Sequence, residues 1–568
     1  MKVQNLKYLV LTFALFTACN DEFLDRQPFG AVTEELLSSS LKGAESLLIS
    51  AYSNIDGFGG WDNGSPWGGA ASNWTFGSIA GGDAYKGSEA NDQPDITPIE
   101  RHEANANNPY LEAKWLAQYD GIFRCNKAIA ALQKLTGDDA LRATRIAEAK
   151  CLRGHFHFEA KKVWNMVPYI DETVADTRIP NDKDIWPNIE ADLKAAADAL
   201  PWTQPEVGRM NKGAALGLLG KAYLFQKKYA EAKAAFEQII NSKQYSLTPK
   251  YHDNFNAVTR NNSEGVLVVQ QAVNEGTEGD NGNIGDVLNY THGGGPGGCC
   301  GFHQPSQNFV NAFKTDANGL PLLDTYNDAD LKNDQDIKAD EPFDPPTANL
   351  DPRLDWTVGR RGIPYLDWGV HPGASWIRLQ SYGGPYSPKK LVYYKGQEGN
   401  LTSAAGWTKG YTANNVKLIR YADVLLMAAE CEVEIGSLEK AREYVNLIRA
   451  RAANPAGWVK NDDGSNAANY VIGLYNSPWT DKDVARKAVR FERRLELGME
   501  GHRFFDLVRW GVAAAEKNAY FAKESTKRTY LIGANFTAGV DEYLAIPFKA
   551  LTLSAVGGTE TLKQNPGH

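Results

Sequence analysis

Nowhere along the 568 residues do Lys and Arg gather into a dense run. With a formal net charge of -9 and a pI near 5.6, the chain lacks the cationic surface whose counterion release drives nucleic-acid binding. Nucleic acid is thereby excluded as a partner, and a strongly anionic polymer is disfavoured. Cysteine is scarce at six residues: Cys19, Cys125, Cys151, Cys299, Cys300 and Cys431. They are scattered, no C-x-x-C pair occurs and no Cys/His spacing suits zinc, so neither a disulfide framework nor a metal site is expected. The adjacent Cys299 and Cys300 are read as free thiols, with a vicinal disulfide as the alternative. His155 and His157 stand two apart, on different sides of a helix, and are expected to pack. The Gly-rich run from His292 to Gly298 lacks the Lys-Ser/Thr of a phosphate loop and reads as a flexible turn. No motif nominates a carboxylate pair for glycoside hydrolysis, whose chemistry depends on a separation in space. No catalytic residue and no cofactor is therefore expected.

Long hydrophobic runs are also missing. The one apolar stretch at the start, Tyr8 to Phe16, is too short to cross a bilayer. Preceded by Lys2 and Lys7 and followed by the small Thr17 and Ala18, it reads as a secretory signal over residues 1–18, with Cys19 at the cleavage point as a lipidation site. Acyl chains on Cys19, at about 0.8 kcal/mol per buried methylene, tether a mature chain of residues 19–568 to a membrane with no transmembrane helix.

What is abundant is helical periodicity. In 212–240, Leu216, Leu219 and Tyr223 line one helix and Ala232, Phe236 and Ile240 a second, joined by a polar turn at 226–228. The pattern L-G-x-x-Y at Leu219 to Tyr223, then A-x-x-x-F at Ala232 to Phe236, matches the tetratricopeptide repeat, whose small residues let antiparallel helices approach closely. A second hairpin is predicted over 418–451, turning at Gly436-Ser437. A third helix starts at Thr480 as cap and carries Val484, Ala488, Phe491 and Leu495. Glu492, Glu496 and Glu500 fall on one face near Arg493 and Arg503, which predicts a structural ion-pair network rather than an active site. Such hairpins must stack to bury their stripes. The predicted class is mainly α: a helical-hairpin scaffold carrying irregular loop and short-strand insertions at about 57–100 and 273–412, where binding surfaces usually sit.

Half of the 14 tryptophans fall in two non-helical stretches, Trp61, Trp67 and Trp74 in one and Trp356, Trp368, Trp376 and Trp407 in the other. Sugars present flat C–H faces between rings of hydroxyls, so flat aromatic faces beside Asn, Asp, Gln or Arg suit them. Large side chains also build local cores in loops, and each ring has these two uses. The candidate ligand contacts are Trp67, Trp74, Trp368 and Trp376, which sit beside Gly, Pro, Ser or Asn, with Tyr85, Tyr382 and Asn73 as secondary candidates.

The run E-R-R-x-E-L at 492–497, followed by E-G-H-R-x-x-D-L-x-R-W-G at 500–511, resembles a signature of the SusD/RagB family of Bacteroidetes surface lipoproteins. Agreeing segments follow in order: Phe23-Leu-Asp25, Ala147 to Arg153 leading to Trp164 and Val167-Pro168, Asp351-Pro-Arg353, Arg420 to Met427 with Glu430, Tyr543 to Pro547, and Gln564 to Gly567. The acidic step Asn20-Asp21-Glu22 resembles an export signal to the outer face of the outer membrane. The resemblance implies about four tetratricopeptide-type helix pairs, a SusC-like, TonB-dependent transporter as partner, and oligosaccharide or polysaccharide bound and delivered uncut. Relatives that take a peptide or other nutrient give the alternative, and a glycoside hydrolase is a more distant one. Family signatures are mainly scaffold residues, so no ligand contact carries over by motif.

Overall fold

A computed structural model describes residues 33–57, 66–276, 281–403 and 405–568. The predicted signal, the lipidation site Cys19 and Trp61 lie outside the described residues. The fold is mainly helical, as the periodicity predicts. We number the long helices α1 (Leu41–Tyr52), α2 (Pro109–Lys134), α3 (Asp139–Trp164), α4 (Trp186–Ala199), α5 (Lys212–Phe225), α6 (Tyr229–Ser242), α7 (Tyr421–Ile435), α8 (Leu438–Ala452), α9 (Lys482–Leu497), α10 (Arg503–Arg509) and α11 (Ala513–Glu524). From α2 to α9 each helix packs on the next in chain order, and α7 bridges the long interruption by packing on α6.

The α5–α6 hairpin shows why this stack closes. A β-carbon on Gly220 would stand 2.4 Å from the ring of Phe236, so glycine there lets the helices meet at the aromatic. Leu216, Leu219, Ala232 and Phe236 are all buried in one continuous core that runs through the scaffold. The second hairpin also forms, but Leu418 belongs to a strand rather than to α7. Asp481, not Thr480, caps α9, accepting the amides of Asp483 and Val484; its carboxylate is the stronger partner for the positive helix end. Ala488 and Leu495 of the expected stripe are fully buried and Phe491 packs on the core, whereas Val484 is half exposed at 50% and Ala485 and Val489 are buried beside them, so the stripe of α9 is wider than expected and starts one residue later.

Strands are few and short: β1 (Ala84–Gly87), β2 (Gly265–Val269), β3 (Phe302–Pro305), β4 (Val358–Gly359), β5 (Ser387–Pro388) and β6 (Val416–Arg420). They form antiparallel pairs β1–β3, β2–β6 and β4–β5, with Tyr85 opposite Gln304 and Val269 opposite Val416. β1–β3 joins the two insertions to each other, β4–β5 lies within the second, and β2–β6 closes the scaffold at the base of the second. Small satellite clusters sit beneath the insertions, apart from the main core.

The ion-pair network is present, with partners other than those predicted. Arg493 pairs with Asp423 and Asp506, and Arg503 with Glu516. Glu492 and Glu496 are held instead by Arg353 at 2.7 and 2.9 Å, and Glu500 by Arg420 at 2.8 Å and Lys390 at 2.5 Å. Arg420 also reaches Glu264 at 2.8 Å and Glu496 at 2.5 Å. These side chains are almost wholly out of solvent. Burial by itself raises the Glu496 carboxyl, but Arg451, Arg420 and Arg353 together hold it far below the usual range. The network ties the insertion residues 351–353 and 390 to β6, α8 and α9, a register that i,i+4 reasoning on one helix does not contain.

Candidate glycan-binding face

The sequence-selected residues separate into three environments. Trp74 is wholly buried: its indole Nε1 donates to the Gly285 carbonyl at 2.9 Å and the ring packs edge-on to Phe302. Asn73 adopts a left-handed backbone at φ 50°, and its side-chain amide donates to Glu159 at 3.0 Å from inside the protein. Trp67 is buried in the main core. These residues lock the 66–80 segment onto the scaffold.

Tyr85 and Tyr382 form a second group. Tyr85 is fully buried on β1, donating its hydroxyl to Glu524 and accepting the Gln307 amide at 3.1 Å. Tyr382 stacks on Tyr530 at 4.3 Å between centroids and shares a hydrogen bond of 2.9 Å with Thr97. The Lys86 ammonium lies 5.1 Å from its ring. Tyr382 is thus packed among protein neighbours, and it is 9% exposed.

Trp368 and Trp376 differ. Both are only partly buried, and both pack on one satellite cluster built from Tyr290, Tyr365, Val392 and Tyr393. Trp376 meets Tyr365 edge-on at 5.5 Å and His371 at 5.2 Å, so neighbouring edges hold its ring upright. Trp368 donates Nε1 to the Tyr393 carbonyl at 3.1 Å and meets the Tyr393 ring edge-on. Edge-on neighbours overlap a ring face less than the stacked Tyr530 does at Tyr382, although the Lys395 ammonium stands 5.9 Å from the Trp368 ring and Gly294 and Gly295 lie against the Trp376 indole.

The Gly-rich run beside them is pinned. Thr291 Oγ1 donates to the Gly294 and Pro296 carbonyls, the Gly297 amide donates to the Tyr393 hydroxyl at 2.8 Å, and the His292 amide donates to the Trp376 carbonyl at 3.0 Å. Thr408 reaches the Gly297 carbonyl at 2.9 Å, joining the segment of Trp407, whose ring is 53% exposed. Cys299 and Cys300, read from sequence as free thiols, form a vicinal disulfide because this turn brings the two sulfurs within bonding distance.

Polar groups gather at the same edge. Arg378, two residues past Trp376, donates to Ser88 at 3.0 Å, Asp92 at 2.5 Å and Glu89 at 2.6 Å while remaining about a third exposed. The loop of those partners is folded around the Lys86 ammonium, which donates to the carbonyls of Glu89, Ala90 and Asp92; burial pulls its pKa down to about 8. His292 stands beside Arg378, and burial together with that guanidinium holds its imidazole below the ordinary range, favouring the neutral form. Partly open indoles next to Arg, Asp, Glu and neutral His match the chemistry of a hydroxyl-rich ring. Trp407 is not among the candidates, although Gly406 beside it meets the criterion of a neighbouring Gly, Pro, Ser or Asn used to choose the others. Arg378, Glu89 and Asp92 carry no local signal, since 286 residues separate Arg378 from Asp92.

Comparison with known proteins matches the description "SusD family" over residues 263–568 and "Starch-binding associating with outer membrane" over 72–224. SusD-like protein P25 of Formosa agariphila is 25% identical, covering 90% of each chain, and SusD-like protein P2 of the same organism is 22% identical over the whole of both. A laminarin-binding SusD-like protein superposes with a TM-score of 0.60 at 22% identity, covering 92% of this chain and 99% of its own. Surface glycan-binding protein A from Bacteroides uniformis gives 0.64 at 20% identity, covering 93% and 99%. The family match takes in more than half the chain and includes the α9–α10 charged run with its buried carboxylates, and on that ground this chain belongs to the SusD family.

Proposed function

We propose that this protein binds a polysaccharide or its oligosaccharides at the face built by Trp368 and Trp376, with Trp407 and Arg378 at its edge. The observation that carries the reading is the pair of half-buried indoles held edge-on by Tyr365 and Tyr393 beside a polar rim. The laminarin-binding and glycan-binding relatives support it. Each stacked ring contributes about 0.5–1.5 kcal/mol beyond its buried area, so a few contacts reach the roughly -4 kcal/mol of a millimolar site. Affinity of that order suits a polymer with many repeats and lets each unit go.

Within the same reading, Cys19 carries the lipid that holds the chain on the outer face of the outer membrane. The bound oligosaccharide passes uncut to a SusC-like, TonB-dependent transporter. Among the described residues no helix is long and apolar enough to cross a membrane. Affinity electrophoresis through gels cast with a panel of polysaccharides, with reducing ends assayed in parallel, tests the proposal. Retardation by at least one glycan without new reducing ends is expected; released sugar, or no retardation by any glycan alongside binding of a peptide, overturns it.

A further inference from the structure

Away from the aromatic face, a cavity of about 270 Å³ opens between α9, α10, the start of α11 and the segment 323–326. Four cationic side chains line it, Lys487, Arg490, Arg494 and Arg503, against two carboxylates, Asp324 and Glu516. Lys487 is matched to Asp324 at 2.7 Å. Arg494 is fully engaged, donating to Asp83 at 3.0 Å, Asn308 at 2.7 Å and the Tyr326 hydroxyl at 3.1 Å. The other two are not. Arg503 touches Glu516 through one terminal nitrogen at 3.3 Å, and its Nε is buried without a partner. Arg490 makes no ion pair or hydrogen bond among the described residues; its Nε is likewise buried and unpartnered, and its guanidinium lies 4.7 Å from the Trp510 ring centroid.

A guanidinium offers five N–H donors, and a buried cation without a counter-charge is costly. The two arginines stand apart from the rest electrostatically. Burial lowers the proton affinity of Arg490 and, with Arg509 and Arg486, outweighs the Glu430 carboxylate; burial together with Arg494 lowers that of Arg503 against Glu516 and Asp83. Arg353, Arg420, Arg493 and Arg509, more deeply buried than these two, are nevertheless shifted upward because each is ion-paired with carboxylates. Lys487 is matched by Asp324, Arg494 by Asp83 and Arg503, through a single contact, by Glu516, so the cavity wall is left with one cation, Arg490, that has no ion pair among the described residues.

We propose that this cavity is an oxyanion site, in which Arg490 and Arg503 grip a carboxylate or sulfate, free or carried on a single sugar unit. At roughly 30 Å³ per water, its volume equals about nine waters, room for the anionic group and a ring bearing it. The apolar wall of Phe491 and Trp510 suits the ring's C–H face. The overall charge of -9 disfavours a long anionic polymer, so the site takes one acidic unit. This proposal stands independently of the aromatic face, and each can fail without the other.

The test is isothermal titration of the whole protein at fixed ionic strength with inorganic sulfate, sodium glucuronate and, as neutral control, glucose. Saturable millimolar binding of an oxyanion is expected. Arg490→Gln and Arg503→Gln should each weaken it about tenfold, the loss of one charge-assisted hydrogen bond, with retention of neutral polysaccharide unchanged. Glucuronate binding more tightly than sulfate assigns a sugar-borne anion, and sulfate alone assigns a free one; both support the site. No saturable heat with either anion overturns it, as does unchanged affinity in both folded variants. If either arginine variant fails to fold, Arg490→Lys or Arg503→Lys, which keeps the charge but removes the guanidinium fork, is titrated in its place, and unchanged oxyanion affinity there is equally fatal.

Discussion

Gly294 lies against the indole of Trp376: a β-carbon built on Gly294 would stand 2.7 Å from that ring's Nε1. The Gly-rich run is thus part of the seat of the tryptophan. Replacing Gly294 by Ala is expected to displace the ring and weaken retention in polysaccharide gels, with little change in the thermal unfolding midpoint, because the contact is at the rim and not in the main core. Retention equal to the parent protein's would show that the indole's position is immaterial to binding.

Single alanine substitutions should sort the candidate tryptophans by role. Trp368→Ala and Trp376→Ala are expected to cost about 0.5–1.5 kcal/mol of glycan affinity each, the worth of one aromatic contact, with folding intact. Trp74→Ala is expected to lower unfolding free energy by about 3–5 kcal/mol, as for a large buried aromatic, read from urea denaturation. Loss of affinity in a stably folded Trp74→Ala, with none in the other two, would move the site to the 66–80 segment.

Glu496 sits among Arg353, Arg420 and Arg451. Glu496→Gln leaves those guanidinium groups short of a charge, and a loss of about 3–5 kcal/mol is expected, as for breaking a buried ion pair from one side. Urea unfolding followed by tryptophan fluorescence measures it; a loss within error of zero would mean the arginines are neutralised by the other carboxylates.

The same network sets the acid limit. Asp351, Glu264, Glu496 and Glu500 all have carboxyl groups held below their ordinary values: burial raises each, and facing arginines overcome it. A carboxylate depressed in the folded state binds its proton more readily when unfolded, so its contribution is present above about pH 4, the unfolded value, and is lost as pH falls through the folded one. The thermal midpoint is expected to be flat near neutrality and to drop steeply below about pH 4. A midpoint that rose on acidification would reverse the assigned sign.

For the anchor, Cys19→Ala is expected to shift the protein from the membrane fraction to the soluble fraction on cell fractionation. Continued membrane attachment after that change would require another tether.

The hairpin at 212–240 was legible because a helix records its buried stripe at spacings of three and four, and Gly220 with Phe236 states the close approach within a span short enough to read. The charged run of α9 announced a buried network for the same reason, through carboxylates placed where an apolar stripe would be. Its partners were not legible: Arg353 lies 143 residues from Glu496, and no local rule reaches so far. Among the aromatics, residue type and a small or polar neighbour, Asn73 in one case and Ser375 in the other, treated Trp74 and Trp376 alike. What parts them is contact, since Trp74 is enclosed by Gly285, Phe302 and His303 while Trp376 is propped edge-on at a rim. The order of residues alone determined helices, hairpins and the presence of buried charge, because those follow from periodicity. How far each ring is buried, and which guanidinium is left without an ion pair, was decided only when distant segments packed, because exposure and ion pairing are properties of neighbours in space.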